Sequence, residues 1–158
     1  MNYVKLSWTD IEESCKHIAT QIEASKWKPD VIISVGRGGM IPSRILSDIL
    51  NISDIYMYYI KLYRAINIRN QQPKVEFFSH NVENKTVLLV DDIVDSGISI
   101  EKAVEVFSIK KCQSIKTATI LCKDHVIRRP TYFSKICKQD EWVVFPWECN
   151  EFKLNIHE

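Results

Sequence analysis

The chain has 158 residues, with 21 Lys plus Arg against 20 Asp plus Glu and a net charge of +1. That balance excludes the basic excess of a nucleic-acid or anionic-membrane binder, and no apolar run approaches the ~18 residues of a membrane span. With 46% hydrophobic and 26% charged residues it reads as a single globular domain over 1–158, long enough to bury about two-thirds of its unfolded surface.

The opening MNYVKLSWTD lacks the apolar core of a signal peptide. Five cysteines, Cys15, Cys112, Cys122, Cys137 and Cys149, are odd in number and show no C-x-x-C spacing. Reduced thiols in the cytoplasm are expected rather than a disulfide framework or a zinc site.

Thr9 and Glu12 form a capping-box pattern, and Ile11, Cys15, Ile18 and Ile22 recur at helical spacing, so a helix is predicted over 9–25. VIISV (31–35) is a short β-branched run and reads as a buried strand. Gly36-Arg37-Gly38-Gly39 then leads into a second helix, with Pro42 near its start and Ile41, Ile45 and Ile49 on one face. IYMYYIKLY (55–63) is the next strand; its aromatic face suits either core or a subunit interface. RAINIRNQQPK (64–74) is polar and aperiodic, hence a loop, and VEFF (75–78) is a further strand. TVLLVD (86–91) is the strongest strand pattern of the chain, followed by a helix capped by Ser99 that carries Ile100, Ala103, Val104 and Phe107 inward. SIKTATILC (114–122) and WVVF (142–145) complete the strands.

Strands alternating with helices imply βαβ units, an α/β fold with a mostly parallel twisted sheet and helices on both faces. Ligands of such sheets bind beyond the carboxyl ends of the strands. That rule directs attention to Gly36–Gly39, to Asp91–Ser99 and to the segment after Cys122.

In VLLVDDIVDSGIS (87–99), Asp95, Ser96, Gly97, Ile98 and Ser99 would stand at a helix N-terminus, where free amides and the helix dipole favour an anion such as phosphate. Ser99 alone serves equally as an ordinary helix cap. The adjacent Asp91 and Asp92 need another account, because two dry, repelling carboxylates are costly. They suit a diol or a metal cation held by the ligand. A phosphate cradle beside a diol-binding acid pair suggests a ribose 5-phosphate.

This thirteen-residue stretch resembles the phosphoribosyl-pyrophosphate signature of the type I phosphoribosyltransferases. The resemblance implies that Asp91 and Asp92 hold the ribose hydroxyls, that the Asp95–Ser99 amides hold the 5′-phosphate, and that Asp95 is the general acid/base at N7 of a purine. Arg37, Gly38 and Gly39 are similar to the pyrophosphate-binding loop of the purine branch, which often contains a non-proline cis peptide; here that bond is expected at Gly36–Arg37. By themselves these glycines are also consistent with a plain helix-start turn.

EWVVFPWE (141–148), on its own a core strand and surface turn, is similar to the xanthine–guanine phosphoribosyltransferases. By that likeness Trp142 stacks on the purine, the Val143 backbone meets its 2-position, and Glu148 is counted with these purine-binding residues and lies toward magnesium. Glu148 stands where the family has Asp, so a water-mediated role is expected of it. Lys123, otherwise a plain surface lysine, would donate to the 6-oxo group, which favours guanine, hypoxanthine or xanthine over adenine. The resemblance further implies Mg²⁺ as cofactor with Asp91, Asp92 and Glu148 as metal residues mostly through water, and a homodimer or homotetramer. It implies a lid over about 63–75 in which Tyr63 is retained and Arg64 or Arg69 meets pyrophosphate. It also implies a core over about 30–125, with a small hood from about 1–25 and 126–158.

The expected activity is conversion of a 6-oxopurine and phosphoribosyl pyrophosphate to the nucleoside 5′-monophosphate and pyrophosphate. The alternatives are a regulator that senses phosphoribosyl pyrophosphate on the same fold, or a transferase for another base. Asp95 and the Arg37 loop favour catalysis, and no basic surplus marks a nucleic-acid partner.

Overall fold

In a computed structural model that describes residues 2–59, 78 and 80–150, ten elements follow one another. They are β1 (Asn2–Lys5), α1 (Trp8–Ala24), β2 (Val31–Val35), α2 (Met40–Ile49), β3 (Ile55–Tyr58), β4 (Thr86–Val94), α3 (Ile98–Ile109), β5 (Ser114–Lys123), β6 (Tyr132–Cys137) and β7 (Glu141–Val144). Five strands form a parallel sheet in the order β3-β2-β4-β5-β6, and β1 pairs with β7 in a separate parallel ribbon.

Both faces of the large sheet are dry, which explains why β2 and β4 read as unbroken apolar runs. Alternate residues serve opposite layers. Ile32, Leu88, Val90, Ala118 and Ile120 pack with Ile11, Cys15, Ile18 and Ile22 of α1 and with Leu46 of α2. Val31, Ile33, Val35, Val87 and Leu89 face the other way, onto Ala103 and Phe107 of α3. Among the described residues no helix is long and apolar enough to cross a membrane, and all five cysteines are free.

Several local expectations change. The capping box of α1 is Ser7 with Asp10, not Thr9 with Glu12. Ser7 is extended as it leaves β1, its hydroxyl accepts the Asp10 N–H at 3.2 Å, and Asp10 Oδ2 accepts the Ser7 N–H at 2.8 Å. Glu12 pairs with Lys16 one turn on instead. In α2 the inward line is Pro42, Ser43, Leu46 and Ser47, so the buried face is turned from the predicted isoleucine stripe; Ile41 and Ile45 flank it and Ile49 is exposed. α3 is capped by Gly97, with Ser99 already inside its first turn. β4 continues past Asp91 to Val94; β3 spans Ile55–Tyr58, and residues 60–63 of the predicted strand lie outside the described residues.

β1 and β6 are strands that the sequence pattern does not announce. β6 is an edge strand of the main sheet with Lys135 and Ile136 exposed, so it lacks the apolar run of β2 or β4. Leu6 N–H continues the β1–β7 ribbon by donating to the Val144 carbonyl at 3.0 Å. The predicted loop 64–74, the lid at about 63–75 with Tyr63, Arg64 and Arg69, and all of VEFF but Phe78 lie outside the described residues.

Candidate active site

Three segments meet at the carboxyl edge of the sheet: the β2–α2 turn, the end of β4 with the start of α3, and the turn after β7. Between them lies a cleft of about 370 Å³. Arg37, Gly38, Asp91, Asp92, Ser99 and Glu148 line it, and so do Tyr59, Trp147 and Asn150. A smaller hollow of about 90 Å³ shares Asp91 and Ser99 with it and is completed by Asp95, Ser96 and Gly97.

The β2–α2 turn is shaped by closeness. Gly36 turns the chain with φ +63° and donates its N–H to the Tyr58 carbonyl at 2.8 Å. Every peptide bond described is trans, so the expected cis bond at Gly36–Arg37 is absent. The positive φ of Gly36 makes the reversal instead. A Cβ on Gly38 would stand 2.5 Å from Cγ of Asp92, and one on Gly39 would collide with the Val90 carbonyl. The backbone of 38–39 thus lies directly against the end of β4, with Arg37 exposed at the cleft mouth.

Asp92 is buried, Asp91 is half-buried, and the two lie close to each other. Asp91 Oδ1 accepts the Asp92 N–H at 3.0 Å, and Asp92 Oδ1 accepts the Ile93 N–H at 2.7 Å. Burial pushes Asp92 up to about 6, over the opposing hydrogen bond from Ile93, and the Glu148 charge adds to the rise. Burial, with the Asp92 charge, raises Asp91 well above the ordinary carboxylate range. Three carboxylates therefore point their repulsion at one cleft, a donor set of hard oxygens that suits a divalent cation. Among the described residues no three such side chains are gathered closely enough to hold a metal unaided. A cation here would lean on waters and on ligand oxygens.

At α3 the cap is Gly97, at φ +83°, which brings no side-chain acceptor to the helix end. Ile98 N–H makes one long hydrogen bond, to Ser96 Oγ at 3.5 Å, and the helix end otherwise offers its amides to an external anion. Asp95 and Ser96 are exposed beside them.

Lys123, Trp142 and Val143 do not line this cleft. Lys123 closes β5 and is 5% exposed, so it is no surface lysine. Its ammonium donates to the Lys138 carbonyl at 2.9 Å and to the Glu141 carbonyl, tying β5 to the first residue of β7. Trp142 is half-exposed on β7, and Val143 packs on the core. Glu148 Oε2 accepts the Phe145 N–H at 3.3 Å, and Glu148 N–H returns to the Phe145 carbonyl at 3.0 Å, which closes the turn that presents its carboxylate. Of the other lining residues, Tyr59 falls within the predicted strand 55–63 and Trp147 within EWVVFPWE, neither with a site role expected of it, and Asn150 carries no sequence expectation.

Residues 7–152 match the phosphoribosyl transferase domain. The chain belongs to that family. Among curated relatives it is 26% identical over 144 residues to a xanthine-guanine phosphoribosyltransferase of Idiomarina loihiensis, covering 90% of this chain and 85% of that one. Among solved structures, a purine phosphoribosyltransferase from Pyrococcus horikoshii is 31% identical with a TM-score of 0.80, over 93% of this chain and 94% of that one. The Helicobacter pylori xanthine-guanine-hypoxanthine phosphoribosyltransferase is 25% identical with a TM-score of 0.83, over 99% of this chain and all of the other (100%). The parallel five-stranded sheet flanked by helices is therefore that of the phosphoribosyltransferase domain, and the cleft lies where that fold's strands end.

Proposed function

We propose that this phosphoribosyltransferase domain acts in purine salvage, moving the phosphoribosyl group of phosphoribosyl pyrophosphate onto guanine, hypoxanthine or xanthine. The observation that carries the reading is the close approach of Gly38 to Asp92, next to Asp91, beside an α3 N-terminus whose cap, Gly97, brings no side chain. A diol, a 5′-phosphate and a diphosphate each find matching chemistry within one cleft.

In this reading the Asp95–Ser99 amides bind the 5′-phosphate, and Asp91 and Asp92 accept the 2′- and 3′-hydroxyls. Arg37 and the Gly38–Gly39 backbone take the pyrophosphate. Asp95 holds the proton at N7 so that N9 attacks C1′ as pyrophosphate departs. Lys123 spends two of its three ammonium protons on the Lys138 and Glu141 carbonyls. The third remains for the purine 6-oxo group. Because the Glu141 carbonyl is one of those partners, Lys123 also sets the level of Trp142, the stacking shelf, and of Val143, whose backbone reaches the 2-position. Asp91, Asp92 and Glu148 would hold Mg²⁺ mostly through water, and the ion would supply charge neutralisation for the pyrophosphate. Little else is needed, since the rate comes from positioning and charge.

The five free thiols support a reducing compartment, the cytoplasm. Exposed Met57 and Tyr59 on and beside β3, which is an edge of the sheet, support assembly as a homodimer or homotetramer. The test is turnover with Mg²⁺ and phosphoribosyl pyrophosphate against guanine, hypoxanthine, xanthine, adenine and uracil in parallel. Turnover confined to the oxopurines is expected. Tight binding of phosphoribosyl pyrophosphate without turnover of any base would replace the enzyme by a regulator.

A further inference from the structure

The first residues of the chain run beside the segment that ends at the acidic cleft wall. β1 lies along β7, with Tyr3 opposite Trp142 and Lys5 opposite Val144, and Leu6 extends the pairing to the Val144 carbonyl. The Ser7–Asp10 capping box then turns the chain into α1. That turn lays Trp8 on Trp147, ring centroids 5.9 Å apart and planes tilted 52°.

Trp8 is 56% exposed, so burial in the core does not account for where it sits. Trp147 is stacked in turn on Phe145, at 4.8 Å and 11°, and Phe145 is buried in the main core. The indole N–H of Trp147 is buried and finds no acceptor among the described residues. No side-chain hydrogen bond among the described residues holds that ring in place; it is held by packing, on the main core and against Trp8 and Phe145. Trp147 and Glu148 are consecutive in the wall that faces Arg37, Asp91 and Asp92 across the cleft.

We propose that Trp8 is a positioning residue for this wall: tilted against Trp147, it sets where Glu148 stands relative to Asp92, and so tunes the Mg²⁺-dependent binding of phosphoribosyl pyrophosphate. The inference rests on the proposed function, because it takes the ligand of the cleft from it. It goes beyond that function in assigning part of ligand affinity to a residue outside the cleft, at the start of α1. The chemistry is indirect. Asp92 and Glu148 line the same cleft as Trp147, and a polyphosphate-bound cation would be held between those carboxylates only when they are correctly spaced.

The experiment uses the full chain as wild type, Trp8→Ala, Trp8→Leu and Trp8→Phe, each with and without Glu148→Gln. Binding of phosphoribosyl pyrophosphate is measured calorimetrically over a Mg²⁺ series, beside steady-state kinetics and thermal melting. Trp8→Ala and Trp8→Leu should raise the dissociation constant, the KM for phosphoribosyl pyrophosphate and the half-saturating Mg²⁺ concentration by roughly 3- to 10-fold, the span that one aromatic pair contributes. The kcat and the KM for the purine should stay within about twofold, since neither the base shelf nor Asp95 is touched. Trp8→Phe, which keeps a ring, should restore wild-type binding. In the Glu148→Gln background Trp8→Ala should have no further effect.

Unchanged binding in Trp8→Ala and Trp8→Leu would overturn the proposal. So would losses in kcat and both KM values in step with melting temperature, the mark of a purely structural role. A wild type that fails to bind phosphoribosyl pyrophosphate would remove the proposed function and this inference together, whereas a wild type that binds and variants that match it would remove only the inference.

Discussion

Replacing Gly38 by alanine tests the close approach on which the cleft depends. The new Cβ would stand 2.5 Å from Asp92 Cγ and 2.7 Å from Oδ1. Carbon atoms in contact keep about 3.5–4.0 Å, so a gap of about 1 Å must be opened. Asp92 cannot yield freely, because its Oδ1 holds the Ile93 N–H at 2.7 Å. The loop cannot retreat past Gly39, where a Cβ position already meets Val90 and lies 3.0 Å from Ser34 Oγ and the Val35 nitrogen. Overpacking of this kind costs about 1–3 kcal/mol of stability. A 1 Å misplacement of a binding group costs on the order of 10²-fold in rate. Gly36→Ala is the control: nothing lies within 4 Å of its Cβ position, and only the positive φ is penalised, at about 1–2 kcal/mol. The assay is kcat/KM for phosphoribosyl pyrophosphate beside thermal melting. Both variants should melt lower, but only Gly38→Ala should lose about 10²-fold in kcat/KM. Wild-type kcat/KM in Gly38→Ala would show that Asp92 and the loop are not mechanically joined, and would refute the reasoning.

Asp95→Asn should leave calorimetric binding of phosphoribosyl pyrophosphate largely intact and cut turnover by ~10²-fold or more; equal turnover would take Asp95 out of the mechanism. Asp92→Asn should abolish most of that binding while raising the melting temperature of the ligand-free protein in chelator at pH 7 by several degrees, on the order of 4–8 °C. The sign follows from a folded-state value of about 6, above the ordinary one. The penalty on the wild type is absent below about pH 4, grows as pH rises through 6 and is complete above it, so calorimetric scans in which the gap shrinks with rising pH would contradict it. Lys123→Met leaves the Lys138 and Glu141 carbonyls without their donor. It should cost ~2–4 kcal/mol in denaturant unfolding and raise the KM for the purine more than that for phosphoribosyl pyrophosphate.

The chain from Val87 to Ser99 is the most legible part of the molecule because its information is local. An apolar run buried on both faces, two acids following it, a glycine and a helix are each properties of a few adjacent residues, although β4 runs on through the acids to Val94 and Gly97, not Ser99, caps the helix. The α1 cap was misplaced because two capping patterns overlap by two residues. The choice between them falls to the one whose first residue is held extended by β1, a partner 130 residues and more away in β7. β1 and β6 escape pattern reading for the same reason: short strands with exposed residues are strands only through the neighbour they pair with.

By itself, then, the sequence determined the α/β class, the sheet-forming runs and the chemistry available at their ends, since propensity, periodicity and side-chain type act over a few residues. The tertiary structure alone decided which of those ends share a cleft. It put Gly38 against Asp92, drew Glu148 toward the same acids, buried Lys123 between two carbonyls and brought Trp8 onto Trp147. Each of these is a contact between segments distant in the chain, and its cost or gain arises from packing and shared charge, quantities that come into being only when the sheet has closed around them.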